Sequence, residues 1–175
     1  IPIDNSTLSS LATYRNPRGR GDSQRLSFNQ RQHGQAGALT LIDDSYNASP
    51  TSMMAALRML TVFNPDLTTA RRWAILGDMK ELGAQEVMYH QTIIAAVAEN
   101  NAIANIITVG PAMANAVKHH EKIQKKLLAS YKTADEMVQD IAKGRHLKPD
   151  DIILVKGSNA SRLSLVVAAI KEYFG

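Results

Sequence analysis

The sequence predicts an α/β fold, a Rossmann-like and mostly parallel sheet with helices on both faces. From residue 38 onward, apolar runs of four to six residues alternate with amphipathic segments of ten or more, which is the pattern of βαβ units. Polar or glycine residues follow each apolar run, and in a parallel sheet these positions share one rim. With 175 residues and 45% hydrophobic content, the chain can bury the core that one such domain needs.

The individual elements follow from the apolar periodicity. We predict strands over residues 38–43, 72–77, 105–109, 129–132 and 151–156. We predict helices over residues 50–63, 86–100, 111–120, 134–144 and 160–173. The last helix has the clearest apolar stripe, which we interpret as its sheet-facing side: Leu163, Val166, Val167, Ile170 and Phe174.

The residues before this regular pattern divide into a lead-in and the start of the domain. We assign residues 1–18 to the lead-in, where Ser6 and Thr7 predict the cap of a short helix that Pro17 ends. Residues 19–175 form the domain, with a further strand at residues 25–28 and a polar turn region after it. The chain starts without Met, which is typical of a fragment or a processed chain.

Composition excludes several classes of protein. No apolar run approaches the roughly 20 residues of a membrane span, and the start of the chain has no signal-peptide pattern. The absence of cysteine excludes a disulfide scaffold, thiol catalysis and a Cys-based metal site. The net charge of +4 raises a nucleic-acid hypothesis, but the basic residues are dispersed and aromatics make up only 5%. We therefore expect a cytoplasmic protein with a mildly basic surface, which also suits an anionic small ligand.

Motif absences narrow the chemistry further. The chain contains no G-x-x-x-x-G-K-[ST] P-loop, no G-x-G-x-x-G dinucleotide fingerprint and no G-x-S-x-G nucleophile elbow. Its five histidines follow no metal-ligand spacing, so no metal ligand is assigned.

The polar residues of the expected rim are the candidate site. The first predicted strand ends in Asp43 and Asp44. Because neighbours in a strand alternate faces, we expect one carboxylate to point at a ligand and the other elsewhere; a purely structural role, in which one of the pair accepts backbone N–H bonds in the turn, is the alternative. Ser49, followed by proline, is the expected cap of the next helix. Lys156 ends the last strand, where a buried lysine is costly unless it meets an anion. Gly157 after it permits close backbone approach.

Four stretches in order resemble the Mur ligase family, and within it the ligases that add D-alanyl-D-alanine. Residues 43–50, D-D-S-Y-N-A-S-P, are similar to the signature D-D-S-Y-N-A-N-P. Residues 76–83, L-G-D-M-K-E-L-G, are similar to L-G-D-M-x-E-L-G, with a histidine downstream at His90 as in the family. Residues 154–158 carry L-V-K-G-S, and residues 17–20, P-R-G-R, resemble P-G-R with one insertion. The resemblance covers residues from about 15 to 175.

The resemblance implies the C-terminal domain of a three-domain, ATP-dependent ligase of peptidoglycan precursor synthesis, and hence of cell-wall growth and division. Such enzymes use ATP and Mg²⁺ to convert the terminal carboxylate of UDP-MurNAc-tripeptide into an acyl phosphate, which the amine of D-alanyl-D-alanine attacks. The P-loop and metal site belong to the central domain and the UDP site to the N-terminal one. We therefore expect this chain alone to be inactive, and we expect a monomer without membrane or nucleic-acid partners.

The resemblance also implies roles for individual residues. Arg20 would contact nucleotide phosphate, Asp44 would hold the ATP ribose, and Asn47 would lie beside the nucleotide. The D-Ala-D-Ala site would be formed by the run Lys156, Gly157 and Ser158. Asp78 and His90 match family positions without an assigned role.

Two departures from the family pattern bear on these roles. Ser49 replaces the second Asn of the first signature. Asn159 stands where many relatives have Arg, and Arg162, one turn later, is the candidate replacement for that contact with the dipeptide carboxylate.

Two other functions are open at this point. A phosphoryl-accepting receiver domain also has an acidic pair after its first strand and a lysine after its last, as at Asp43, Asp44 and Lys156. It needs an aspartate after the third strand, where this chain has Gly110, and its lysine is usually followed by proline rather than by a residue such as Gly157. A generic nucleotide-binding module without chemistry of its own is the other alternative.

Overall fold

A six-stranded sheet organises the protein, and a computed structural model describes residues 19–28, 37–64, 70–141 and 147–174. In chain order its strands are β1 (Asp22–Phe28), β2 (Gly37–Asp44), β3 (Arg72–Gly77), β4 (Ile103–Val109), β5 (Leu127–Tyr131) and β6 (Ile152–Lys156). In space they lie in the order β1-β2-β6-β3-β4-β5. β1 pairs with β2 antiparallel at one edge, and the pairs from β2 to β5 are parallel. The predicted mostly parallel sheet is confirmed.

Five α-helices connect or follow the parallel strands of the described residues. They are α1 (Pro50–Val62), α2 (Glu86–Glu99), α3 (Pro111–Lys118), α4 (Ala134–Ile141) and α5 (Leu163–Phe174). The predicted helices are confirmed with small differences in their ends. α5 begins later than predicted because residues Asn159–Ser161 form a 3-10 turn and Arg162 follows it with a left-handed φ of 53°. The end of the predicted fourth helix, residues 142–144, lies outside the described residues.

The helices cover both faces of the sheet and form two separate cores. α1, α2 and α3 pack on one face, against side chains such as Ile152 and Leu154 of β6. α4 and α5 pack on the other face, against Ile153 and Val155 of the same strand. This alternation is what a strand buried on both sides produces, and all five residues of β6 are buried.

The position of β6 creates a crevice at the carboxyl ends of the central strands. β6 lies between β2 and β3, although it comes last in the chain. The chain leaves β2 and β3 toward helices on one face but leaves β6 toward α5 on the other. Connections that diverge in this way open a space above the strand ends, where α/β proteins bind ligands. The central last strand also differs from receiver domains, whose order 2-1-3-4-5 puts the last strand at an edge.

Some predictions for the start of the chain fall outside the described residues. The lead-in helix within residues 1–18 and residues 30–36 of the polar turn region predicted at 30–37 are among them. The strand predicted at residues 25–28 is confirmed and begins earlier, at Asp22. Among the described residues, no helix combines the length and the apolar character that a membrane crossing requires.

Candidate functional site

Residues 45–49, which we call the elbow, join β2 to α1 at the carboxyl edge of the sheet. Ser49 is the N-cap of α1, as predicted: its hydroxyl accepts the Ser52 backbone N–H at 3.2 Å, and the Ser52 hydroxyl in turn accepts the Ser49 N–H at 2.9 Å. Pro50 occupies the first turn of the helix, where its missing N–H costs nothing. The replacement of Asn by Ser at position 49 therefore keeps the helix start intact.

The two carboxylates at the end of β2 have different partners. Asp43 is only 8% exposed, and its Oδ1 accepts the N–H and the hydroxyl of Ser45 at 3.2 and 2.6 Å. It is therefore the member of the pair that stabilises the turn. Asp44 is 22% exposed, and its Oδ2 lies 2.7 Å from Nζ of Lys156. Asp44 is the member of the pair whose side chain stays partly accessible at the rim, and its contact with a ligand stays a prediction.

The anionic partner of Lys156 is a carboxylate of the same chain, that of Asp44. The Lys156 side chain is 2% exposed, and besides Asp44 its ammonium group contacts the Asn47 carbonyl oxygen at 2.9 Å. The burial cost that predicted an anionic partner is thus met by Asp44. A contact between Lys156 and a dipeptide stays a prediction, and the structure gives the ammonium group these protein partners.

Arg20 is held against the elbow from the side of β1. Its guanidinium lies 4.6 Å from the centre of the Tyr46 ring, a cation–π arrangement. The Tyr46 N–H donates to the Gly19 carbonyl at 3.0 Å, and the Gly21 N–H donates to the Asp43 carbonyl at 2.8 Å. These contacts bring Arg20 to the same edge as the elbow, where its side chain is exposed to solvent.

The Gly157–Ser158 segment packs closely against the end of β3. A Cβ on Gly157 would lie 3.0 Å from the Gly77 Cα and 3.0 Å from the Ser161 hydroxyl. The absence of a side chain at Gly157 therefore lets the end of β3 and the 3-10 turn pack closely against its backbone. Ser158 is also engaged, since its N–H donates to the Asp78 carbonyl at 3.0 Å and its hydroxyl shares a 2.9 Å hydrogen bond with that of Ser161.

Asp78 and His90 hold the loop after β3. The Asp78 carboxylate accepts the backbone N–H groups of Met113 at 2.9 Å and Ala112 at 3.3 Å, so it sits at the start of α3, where the helix dipole favours an anion. His90 is fully buried; its Nδ1 donates to the Glu86 carbonyl at 2.7 Å and its Nε2 accepts the Met79 N–H at 3.0 Å. Both family-matched residues thus have structural contacts.

Two of the clefts at this rim concern the predicted site residues. A cleft of about 190 Å³, which we call the Arg162 cleft, is lined by Lys132, Asp135 and Arg162 together with Asp78 and Lys80. The last two belong to the loop after β3, residues 78–82, which we call the Asp78 loop. The Arg162 guanidinium lies 3.2 Å from Asp135 and is well exposed. A second cleft of about 500 Å³, the Tyr46 cleft, is lined on one side by the elbow and on the other by α5. Asn159 lines this second cleft, so Asn159 and Arg162 face different spaces.

Sequence reasoning missed Ser161 as a member of the rim. Ser161 donates its hydroxyl to the Asp78 carbonyl at 2.9 Å and so links β6 to the loop after β3. It fell inside a predicted helix, where no periodicity distinguishes it. Lys80, one of the polar residues that follow the second predicted strand, lies 3.5 Å from Asp78 and lines the Arg162 cleft. The described residues contain no cluster of three acidic or histidine side chains suited to a metal ion.

The doubly wound sheet, with charged side chains gathered at the carboxyl ends of its central strands, defines a ligand-binding α/β domain. A family model described as Mur ligase, glutamate ligase domain, matches residues 25–159, and the chain belongs to this family. It is similar to the UDP-N-acetylmuramoyl-tripeptide–D-alanyl-D-alanine ligases of Mycobacterium tuberculosis (32% identity over 75% of this chain) and Bacillus subtilis (31% over 77%). The chain spans 28% of the length of each of these relatives.

Solved structures agree on the fold. A MurF structure from Acinetobacter baumannii matches with a TM-score of 0.73 at 24% identity, covering 97% of this chain and 34% of that one. MurF from Thermotoga maritima, solved in complex with ADP, matches with a TM-score of 0.66 at 19% identity, covering 95% and 33%. With the family match, these comparisons favour the Mur ligase prediction over the receiver domain and the generic nucleotide-binding module.

Proposed function

We propose that this chain is the C-terminal domain of an ATP-dependent ligase that joins D-alanyl-D-alanine to UDP-MurNAc-tripeptide in peptidoglycan precursor synthesis. One observation carries the proposal: three of the motifs that resemble the family, residues 43–50, 76–83 and 154–158, meet at a single rim. The elbow, the Asp78 loop and the segment after β6 contact one another through Lys156, Ser158 and Ser161. Residues 19–175 would form this domain, and residues 1–18 the lead-in from the preceding one.

The nucleotide side of the site consists of Asp44, Asn47 and Arg20. The partly exposed carboxylate of Asp44 suits ribose hydroxyls, which donate hydrogen bonds to it. Asn47 is exposed, although its Oδ1 already accepts the Ala48 N–H at 2.8 Å, so its NH₂ group is the part that suits a nucleotide. Arg20 is exposed beside them and suits a phosphate. These groups fit ATP, and they are the ones we assign to it.

The dipeptide side is the Arg162 cleft. Three cationic side chains, Lys80, Lys132 and Arg162, line it, and a dipeptide presents a carboxylate to such a surface. Asp135 gives the cleft a carboxylate that suits the dipeptide ammonium group. Arg162 would supply a guanidinium from this cleft, which is a different space from the one that Asn159 lines. Gly157 and Ser158 would act beside this cleft, where the Ser158 N–H donates to the Asp78 carbonyl.

In the proposed reaction, ATP phosphorylates the terminal carboxylate of the tripeptide, releasing ADP, and the dipeptide amine then displaces phosphate from the acyl phosphate. This domain would orient the nucleotide and the dipeptide. Mg²⁺, the P-loop and the UDP-binding groups would come from the rest of the enzyme, so the 175-residue chain alone should not turn over. A monomeric, cytoplasmic protein without membrane or nucleic-acid partners stays part of this proposal.

The experiment is steady-state kinetics of phosphate release by the full-length enzyme that carries this domain. Arg162→Ala should raise the Michaelis constant for D-Ala-D-Ala by about tenfold or more, since a charge-assisted hydrogen bond contributes about 1.5–3 kcal/mol. Arg58→Ala, an exposed arginine on α1, is the matched control and should leave it unchanged. An unchanged constant in Arg162→Ala would refute the assignment of Arg162. If phosphate release by the full-length enzyme did not depend on D-Ala-D-Ala, the proposed function itself would be refuted.

A further inference from the structure

Lys156 has the contacts of a residue that builds a site rather than one that touches a ligand. Its side chain is 2% exposed, whereas the side chain of Arg162 at the neighbouring cleft is 63% exposed. Nζ lies 2.7 Å from Asp44 Oδ2 and 2.9 Å from the Asn47 carbonyl oxygen. A buried ammonium group needs such partners to offset its lost hydration. Both partners belong to the segment assigned to the nucleotide.

The sheet fixes one of these contacts and the elbow the other. In the parallel register of β2 and β6, Asp44 lies directly opposite Lys156. Asn47 lies beyond the end of β2, in a stretch without helix or strand structure. Its carbonyl oxygen accepts from Lys156, and its side-chain oxygen accepts the Ala48 N–H at 2.8 Å. Lys156 therefore ties the middle of the elbow to the end of a central strand.

The order of the strands explains why one lysine can do this. β6 lies between β2 and β3, so its last residue is next to the elbow on one side and the Asp78 loop on the other. The side chain of Lys156 turns toward the elbow, while the backbone N–H of Ser158, two residues later, donates to the Asp78 carbonyl. The two halves of the site are thus held by neighbouring residues of one segment.

We propose that Lys156 is a positioning residue of the nucleotide site, which orients the Asp44 carboxylate and the Asn47 backbone for ATP and does not bind the dipeptide. This inference rests on the proposed function, because that function assigns Asp44 and Asn47 to ATP. It moves Lys156 from the dipeptide side, where the family resemblance puts it, to the nucleotide side.

The first test is the split between two Michaelis constants in the full-length enzyme. Lys156→Met should raise the constant for ATP by about tenfold, equivalent to about 1.4 kcal/mol, and leave that for D-Ala-D-Ala within about twofold. Lys156→Arg keeps the charge and should recover part of the loss. Arg162→Ala should give the opposite split. A rise for D-Ala-D-Ala with an unchanged ATP constant in Lys156→Met would overturn the inference and leave the proposed function standing.

The second test is independent of catalysis and uses hydrogen exchange in the 175-residue chain. Lys156→Met should speed exchange of the amides of the elbow, residues 45–49, by about tenfold relative to those of α5. If this variant does not fold, the double variant Asp44→Asn with Lys156→Met removes both charges and should show the same local change. Unchanged elbow exchange in the folded variant would overturn the inference. If the full-length enzyme shows no ligase activity while elbow exchange rises, the proposed function fails and the positioning role of Lys156 in the elbow remains.

Discussion

Substitution of Gly110 by alanine would test how firmly Asp78 is held at the start of α3. Gly110 has φ 109° and ψ 158°, a backbone conformation that is essentially restricted to glycine. A Cβ at this position would lie 2.5 Å from Oδ1 and 2.6 Å from Oδ2 of Asp78. The carboxylate would have to move, and it would then lose its bonds to the first N–H groups of α3.

The expected cost has two parts. The backbone strain alone is about 1–3 kcal/mol. Loss of the hydrogen bonds between the Asp78 carboxylate and the Ala112 and Met113 N–H groups adds about 1.5–3 kcal/mol. Gly110→Ala should therefore lower the free energy of unfolding by about 3 kcal/mol or more. For a chain of this length, the melting temperature should fall by about 6–12 °C.

The assay is urea unfolding of the chain, with Gly83→Ala as the matched control. Gly83 also has a positive φ, 55°, but a Cβ there would have nothing within 4 Å, so its cost should stay near 1–2 kcal/mol, roughly the strain alone. In an Asp78→Ala background, the carboxylate is absent and Gly110→Ala should cost less than in the wild type. Equal losses for Gly110→Ala and Gly83→Ala, or an unchanged cost in that background, would refute this account of Asp78.

Three further predictions concern single side chains. Tyr46→Ala should raise the Michaelis constant for ATP of the full-length enzyme by about two- to fivefold, because it removes the ring that holds Arg20, whereas Tyr46→Phe should leave it unchanged; equal effects would contradict this. Ser49→Ala should lower the free energy of unfolding in urea by about 1 kcal/mol through loss of the α1 cap, and no loss would contradict the cap. Burial, helped by the hydrogen bond to Asp140, raises the pKa of Tyr131 in the folded protein. The stabilisation that results from this shift is complete below about pH 10, the ordinary pKa of tyrosine in the unfolded chain, and is lost as the pH rises above it. Tyr131→Phe should flatten this alkaline loss in unfolding measured from pH 9 to pH 11, and an unchanged slope would contradict the assignment.

The fold was largely predictable because its signals are local. Apolar periodicity located β3 to the residue, and capping chemistry located the start of α1 at Ser49. The start of α5 was not predictable from the sequence. The apolar stripe that identifies the helix begins at Leu163 and does not distinguish the 3-10 turn before it, and the left-handed conformation of Arg162 separates the two. The sequence predicted the described strands of the parallel sheet. It did not predict their order, because the order depends on contacts between segments that are distant in the chain and has no local signature.

The candidate site was predictable in its members and only partly in their contacts. Burial cost predicted that Lys156 meets an anion, but Asp44 could be identified only once β6 was known to lie beside β2. Gly157 was expected to permit close backbone approach, but that Gly77 of β3 makes such an approach could be known only once the two strand ends were known to be neighbours. Such contacts follow from strand order, so they could not be derived before it.

The most direct test of the proposed function is the identity of the product. The full-length enzyme would be incubated with UDP-MurNAc-tripeptide, ATP, Mg²⁺ and an equimolar mixture of D-Ala-D-Ala, D-glutamate and L-alanine, and the products read by mass spectrometry. The proposed function predicts a single new species, the tripeptide precursor extended by D-Ala-D-Ala, formed with one ADP per peptide bond. A product that carries D-glutamate or L-alanine, or the absence of any amide product, would contradict it.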